Sequence, residues 1–201
     1  MPAYSGLPPC AQPGAGFDAL EYRMKIATQI HPALKEMAQQ LEGQRVAMLT
    51  LREADGLLIS RPMTPQEMDA DGAIWTLLAR GTTTESIQRG PAGHDAVNLA
   101  FIDERGAACI SIACRATVVD SADRKRALWS LKARPWFPGG SEDPSLTLLR
   151  VQPLRAEVWD GPSSSTMRAL SFAASVVAGE PLGLGDHAVL DLPMSAAAGA
   201  H

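Results

Sequence analysis

The 201-residue sequence is short of most features that would give it an obvious chemistry. Its three cysteines, Cys10, Cys109 and Cys114, cannot all pair. Cys109 and Cys114 stand five apart in a run that reads as strand, AACISIACRATVV. Their side chains therefore point to opposite faces and share neither a metal nor a local disulfide, and they read as packing residues of a reducing compartment. The histidines, His31, His94, His187 and His201, fall in unrelated segments with no ligand-like neighbour at metal spacing, so metal catalysis has no support. Aromatic residues make up only 5% of the chain. The 18 lysines and arginines are outnumbered by 22 acidic residues, for a net charge of -4 with no basic block, which argues against a nucleic-acid partner. No apolar run approaches about 18 residues and no basic start leads into an apolar stretch, so the expectation is a soluble, cytoplasmic protein. There is no catalytic triad, paired acid or GxGxxG signature. GTTTES lacks the lysine of a P-loop, and PGGSEDP follows no strand that would feed a Rossmann helix.

A chain of this length suits one domain with appendages and buries roughly 70% of its unfolded surface. Its most informative stretch runs from Arg45 to Ser86. Val46 to Leu51 is apolar and strand-like, Asp55-Gly56 is a turn signal, and Leu57 to Met63 runs back, which predicts a hairpin. A second turn at Asp71-Gly72 leads into a strand over Ala73 to Ala79 and then to Arg80-Gly81-Thr82-Thr83-Thr84-Glu85-Ser86. Thr82 and Glu85 have capping-box spacing, and Ile87 begins a helical pattern. Free N–H groups, three threonine hydroxyls and the helix dipole together suit a phosphate, with Arg61 and Arg80 the nearest cations. On these residues alone, an ordinary helix cap with solvated arginines is the preferred reading.

Residues 1–16 are rich in proline and glycine and are expected to be mobile. Asp18 with Glu21, flanked by Phe17 and Tyr22, marks a helix start. Ile26, Ile30, Leu34, Met37 and Leu41 follow at helical spacing, with Pro32 as a kink or a break and Gly43 as the end. Residues 88–95 read as an inserted surface loop. Strands are expected over Val97 to Ile102 and Ala107 to Val119, and a helix capped by Asp120 or Ser121 runs to about Lys132, with Leu128 and Trp129 on its inner side. Two last strands, Ser145 to Val151 and Leu154 to Trp159, bring the count to about seven strand-like runs, enough for a closed or nearly closed antiparallel barrel. Met167, Leu170, Ala174 and Val177 form a helical stripe within a C-terminal extension over 161–193, and a disordered tail is expected over 194–201.

AMLTL at 47–51, SRPM with PQE at 60–67, WTLL at 75–78, VNLAF at 97–101, LW at 128–129 and RPWFPGGSEDPSLTLLRV at 134–151 occur in the order found in the general stress proteins. The chain thus resembles the pyridoxamine 5'-phosphate oxidase-like family of FMN-binding split barrels over Arg45 to Asp160. The resemblance implies a mainly β, α+β fold built on a six-stranded antiparallel split barrel, a homodimer, and FMN at the subunit interface. It places the cofactor against Ser60, Arg61, Pro62 and Met63, against Trp75, Thr76, Leu77 and Leu78, and against Thr82, Thr83 and Thr84. It also brings Trp136 and Trp129 toward the isoalloxazine held mainly by the other subunit. Together, Trp129, Trp136 and Phe137 would be an unusual exposed patch on a monomer, which again favours a dimer.

Two departures matter. The family's phosphate-pairing lysine is missing at Thr84 and Glu85, and GEPLGLGDHAVLDLPMSAAAGAH has nothing like the arginine-rich substrate-reading segment of true pyridoxamine phosphate oxidases. Vitamin B6 oxidation is therefore not expected. Three readings stay open, in this order: a flavin-binding stress protein without turnover, an FMN-dependent oxidoreductase or flavin reductase, and a barrel dimer whose cofactor site has decayed.

Overall fold

The computed structural model describes residues 23–91, 94–103, 108–160 and 186–193. Among these are nine strands and three α-helices. The strands are β1 (Lys25–Ile26), β2 (Ala47–Arg52), β3 (Leu58–Met63), β4 (Pro65–Met68), β5 (Ile74–Ala79), β6 (His94–Asp103), β7 (Ala108–Val119), β8 (Leu146–Asp160) and β9 (Asp186–Asp191). The helices are α1 (Pro32–Leu41), α2 (Thr82–Arg89) and α3 (Ala122–Leu128). The sheet runs β1-β4-β5-β8-β7-β6-β2-β3, with β9 added to β8. β3 stands at one end of this order and β4 almost at the other, yet only Thr64 separates them in the chain. The sheet must therefore curl until its ends meet, giving a barrel. Counting β3 and β4 as one strand bent at Thr64, the barrel has the expected six, while β1 and β9 are additions along its edges.

The alternation of side chains fills this barrel. Leu49, Leu51, Leu99, Phe101, Ile110, Ile112, Leu149 and Val151 point inward and are almost fully buried, and α1 contributes Leu34, Met37 and Leu41 to the same core. β5 is covered on both faces. Ile74 and Leu78 face the main core, whereas Trp75 packs outward with Leu128 and Leu148, and Leu77 and Ala79 pack outward on Ala133, Phe137 and Leu146. That second layer comes from α3 and the loop after it, so β5 is fixed from both sides.

Gly56 and Gly72, at φ of 88° and 81°, sit in the left-handed region that the two Asp-Gly turns require. At Gly72 a side chain is also excluded by space, since a Cβ would come within 2.7 Å of Leu34. The cysteines behave as their spacing predicts: Cys114 is buried and Cys109 lies on the outer face of β7. Burial pushes the Cys114 thiol far up, outweighing the opposing backbone hydrogen bond with Leu99 and leaving it unreactive.

Several expectations are corrected. Ile26 belongs to β1, paired in parallel with β4, and Ile30 is 87% exposed, so the helical stripe begins only at Leu34. Pro32 neither kinks nor breaks a helix but starts one, at the first turn, where a missing N–H costs nothing. Gln88 and Arg89 complete α2 while His94 and Asp95 open β6, so 88–95 is not an inserted loop throughout. α3 stops at Leu128, short of Lys132. The two last barrel strands are one, β8, because Pro153 sits at a register shift opposite Ala113 and Cys114, where the ladder tolerates a residue without an N–H. Within the span taken for a helical extension, residues 186–191 are a strand. The Asp18 cap, the stripe from Met167 to Val177 and the two terminal segments lie outside the described residues.

Candidate functional site

The curled sheet leaves a seam. β4 pairs with β5 only at residues 74–76, and residues 77–79 of β5 pair with β8 alone. β3 pairs only with β2. The bent strand thus parts from β5 above Thr64, leaving one backbone edge of Leu58–Met63 and one of Leu77–Ala79 without a strand partner among the described residues. Below the fork the strands are tied. The Thr64 carbonyl accepts from the Thr76 hydroxyl and from Gln66 Nε2, each at 2.9 Å. Of the two strand runs assigned to the cofactor, 60–63 borders this opening along with only the second half of 75–78, Leu77 and Leu78, because Trp75 and Thr76 pair with β4.

Arg61 is the most telling residue there. The β2–β3 register sets it opposite Leu49, on the core-facing side, and its side chain is only 6% exposed. Nη2 is held by the Glu53 carboxylate, while Nη1 is buried with no partner among the described residues. A buried guanidinium with an unsatisfied donor is uncommon and fits a missing anionic oxygen. Glu53 was not among the expected site residues. The signal was present, because a period of two carries Leu49 and Leu51 to position 53 on the same face as Arg61.

At the end of β5, α2 is capped differently from the expectation. Gly81, not Thr82, is the N-cap. The Thr84 hydroxyl accepts from the Gly81 N–H at 3.0 Å and donates to the Gly81 carbonyl at 2.7 Å. Thr83 is buried and Thr82 exposed. Glu85 does not turn back on the cap; it pairs with Arg89 one turn along, at 3.2 Å, which draws its charge away from the helix start. Apart from its chain neighbours, Gly81 has no heavy atom within 4 Å of the place a Cβ would take, so the loop is open on that side. Arg80 is held by Asp120 at 2.5 Å and by the Pro144 carbonyl at 3.1 Å. The Asp120 carboxyl is kept below its ordinary range by its bonds to Lys125 and then to Arg80. Among the described residues, no hydrogen bond joins Arg61 to Thr82, Thr83 or Thr84.

The expected aromatic residues divide. Trp75 is engaged within the chain: its indole donates to Asp69 at 2.6 Å, and the Arg124 guanidinium lies 4.5 Å from the ring centre. Trp129 is half-buried against the cluster of Ala133, Phe137 and Leu146, and its buried indole nitrogen has no hydrogen-bond partner among the described residues. Phe137 is 5% exposed and Trp129 half-buried, and of the three only Trp136, at 37%, counts as exposed, so the exposed patch of three aromatic residues does not exist. The loop that carries them is clamped by Asp143, whose carboxylate accepts from the N–H groups of Gly139 and Ser145 and from the Ser145 hydroxyl, at 2.6 to 2.9 Å. Exposed apolar side chains gather instead on the β2–β3 hairpin, at Val46, Met48, Leu57 and Leu58.

Two clefts adjoin these elements. One, of about 610 Å³, lies between the β2–β3 turn, α2 and β6, and has Arg52, Glu53, Ser86, Arg89 and Asn98 in its wall. The other, of about 170 Å³, joins Gln66 and Trp129 to the cations Arg23, Lys25 and Lys132. Of the expected site residues, only Trp129 lines either cleft. Ser86, the last residue of the threonine loop, and Arg89 line the larger cleft without being among the expected site residues.

A six-stranded barrel left open along one seam, with α3 and a clamped loop packed on its outer face, is a split barrel. The profile of the family described as pyridoxamine 5'-phosphate oxidase like matches residues 32–182, and the chain belongs to that family. Among solved structures it is similar to a protein assigned as general stress protein 26 from Jannaschia sp. CCS1, at 26% identity over 79% of this chain and 97% of that one, with a TM-score of 0.61. It is also similar to the general stress FMN/FAD binding protein of Xanthomonas citri, at 27% identity over 66% of this chain and 91% of that one, with a TM-score of 0.55. A general stress protein 26 relative from Clostridium acetobutylicum, at 17% identity over 63% of this chain and 87% of that one, has a TM-score of 0.55 and shares the fold. No curated protein matches the chain.

Proposed function

We propose that this chain is a flavin-binding stress protein that holds FMN at the seam of a homodimer and does not oxidise vitamin B6. The observation that carries the reading is Arg61, a buried cation on β3 with one donor unsatisfied beside a strand edge that lacks a partner. The Xanthomonas citri relative, an FMN/FAD binding protein by name, supports it. FMN, where bound, supplies reversible electron transfer. The chain's own part is to hold and orient it. Arg61 Nη1 would serve the phosphate, the first N–H groups of α2 are a candidate second anchor, and the edges of β3 and β5 left unpaired among the described residues would offer backbone donors and acceptors to the ring. With no lysine at Thr84 or Glu85, Arg61 carries more of the phosphate recognition than its counterpart would in relatives that have one.

The outer face of the β2–β3 hairpin, with its exposed Met48 and Leu58, is the surface a second subunit would cover. Fluorescence titration with FMN tests the reading. The unmodified protein should bind one FMN per subunit, and Arg61→Ala should bind it about ten- to a hundredfold more weakly, the loss of roughly 1.5–3 kcal/mol for a charged hydrogen bond. Equal affinity in the two proteins sinks the phosphate assignment, and steady oxidation of NAD(P)H by the loaded protein would move the reading to an oxidoreductase.

A further inference from the structure

The contact between Glu53 and Arg61 has no evident place in a site whose arginine serves a phosphate. Arg61 lies on β3 and Glu53 is the first residue past β2, and the two meet because continuing the alternation of β2 by one residue brings their side chains to one face. Their environments differ. The Arg61 side chain is 6% exposed, whereas Glu53 is 26% exposed and stands in the wall of the 610 Å³ cleft with Arg52, Ser86 and Arg89. A guanidinium buried this deeply needs a counter-charge for the chain to fold around it. Glu53 supplies that charge through Nη2 and leaves Nη1 unbonded. A phosphate approaching the same fork competes for an arginine edge already half taken, and it does so beside a like charge.

We infer that Glu53 is the internal counter-ion of Arg61, displaced when a phosphate monoester binds, so that Glu53 sets how strongly the site prefers a phosphorylated flavin over the bare ring. This rests on the assignment of Arg61 to the phosphate. Glu53 touches neither ring nor phosphate in the loaded state; it acts by holding Arg61 when no anion is there and by opposing the anion when it arrives. Glu53→Gln keeps the shape and a hydrogen-bond acceptor while removing the charge. FMN should then bind about tenfold more tightly, the size of one charged interaction, whereas riboflavin, which lacks the phosphate, should bind as before. In the absence of flavin the same variant should melt at a lower temperature, and added FMN or inorganic phosphate should close that gap.

The test is a pair of titrations, FMN and riboflavin, on the unmodified protein, Glu53→Gln and Arg61→Ala at one ionic strength. Glu53→Asp serves as a second variant that keeps the charge on a shorter stem and should raise the FMN-to-riboflavin preference by a smaller factor. A preference in Glu53→Gln that is unchanged or lower overturns the inference, as does the same result in Glu53→Asp should the glutamine variant not fold. FMN binding that depends on Arg61 together with an unchanged preference overturns this inference alone; FMN binding indifferent to Arg61, or no flavin binding at all, overturns the phosphate assignment and this inference with it.

Discussion

Thr76 donates its hydroxyl to the carbonyl of Thr64 at 2.9 Å, tying the bend between β3 and β4 to the strand it bends toward. Thr76 is 4% exposed, so water does not replace the bond when it is removed. The carbonyl keeps its second donor, Gln66 Nε2, which holds the loss near the lower end for a buried hydrogen bond. Thr76→Val should therefore destabilise the fold by about 1 kcal/mol and lower the melting temperature by roughly 2–4 °C in a chain of this size. Urea unfolding followed by circular dichroism checks this, and an unchanged midpoint would show that the bond contributes nothing.

Asp143 gives a prediction with a definite sign. Its carboxyl is held below the ordinary range by the Ser145 hydroxyl first, and then by the N–H groups of Gly139 and Ser145. A depressed value means that the ionised form stabilises the fold. This contribution is complete above the ordinary carboxylate value of about 3.9 and is lost as pH falls through the lower folded value. Asp143→Asn should accordingly melt below the unmodified protein at neutral pH, with the difference shrinking in acid. A difference that stays constant from neutral pH into acid would sink the clamp as an ionic one.

Trp136, at 37%, is the most exposed aromatic residue of its loop, so replacing it should cost less stability than truncating a fully buried ring. If it approaches a flavin held by the other subunit, as the family resemblance implies, Trp136→Ala should weaken FMN binding and relieve quenching of the bound flavin's fluorescence. Unaltered affinity and quenching would leave the indole as a lid over its own chain. Phe137 is the internal contrast, because it is buried and its truncation should cost about 3–5 kcal/mol.

Flavin and dimer should be coupled. A ligand that binds only the assembled pair stabilises it by mass action, about 2.7 kcal/mol at a hundredfold excess over the dissociation constant. Added FMN should raise the melting temperature and oppose dissociation on dilution. Leu58→Glu puts a charge where the side chain is already 66% exposed, so the subunit should still fold while sedimentation shifts toward the monomer. A monomer that binds FMN stoichiometrically would place the site within one subunit.

What the sequence made legible was whatever short-range chemistry decides. The Asp-Gly turns, the three runs from Val46 to Ala79, the opposite faces of Cys109 and Cys114, and the Ser121 cap, which accepts from the Arg124 N–H, all rest on neighbours a few residues away. The misreadings fall where distant partners decide. Ile26 and Ile30 fit the helical spacing, but pairing with β4 claims Ile26 and nothing packs Ile30. Pro153 reads as a terminator until β7 supplies the register shift that accommodates it. β9 has no reason to be a strand except the free edge of β8. Around the candidate site, Arg61 and Arg80 were legible as the cations nearest in sequence, while the Glu53 partner of Arg61 needed the hairpin register and the Asp120 partner of Arg80 lies forty residues on.

The open side of β3 also bears on how the chain avoids its own copies in the wrong arrangement. A strand edge with free N–H and C=O groups is a template for any other strand, and an apolar edge such as Leu57 and Leu58 invites one. Pro62 lies within that strand opposite Met48. Proline is tolerated there only with its nitrogen turned outward, so it removes a donor from the exposed edge and breaks the ladder a stray strand would need. The seam is thus guarded against polymerisation by the same short motif, SRPM, that carries Arg61; replacing Pro62 with a residue that has an N–H would restore the full edge and with it a route to fibrous aggregates.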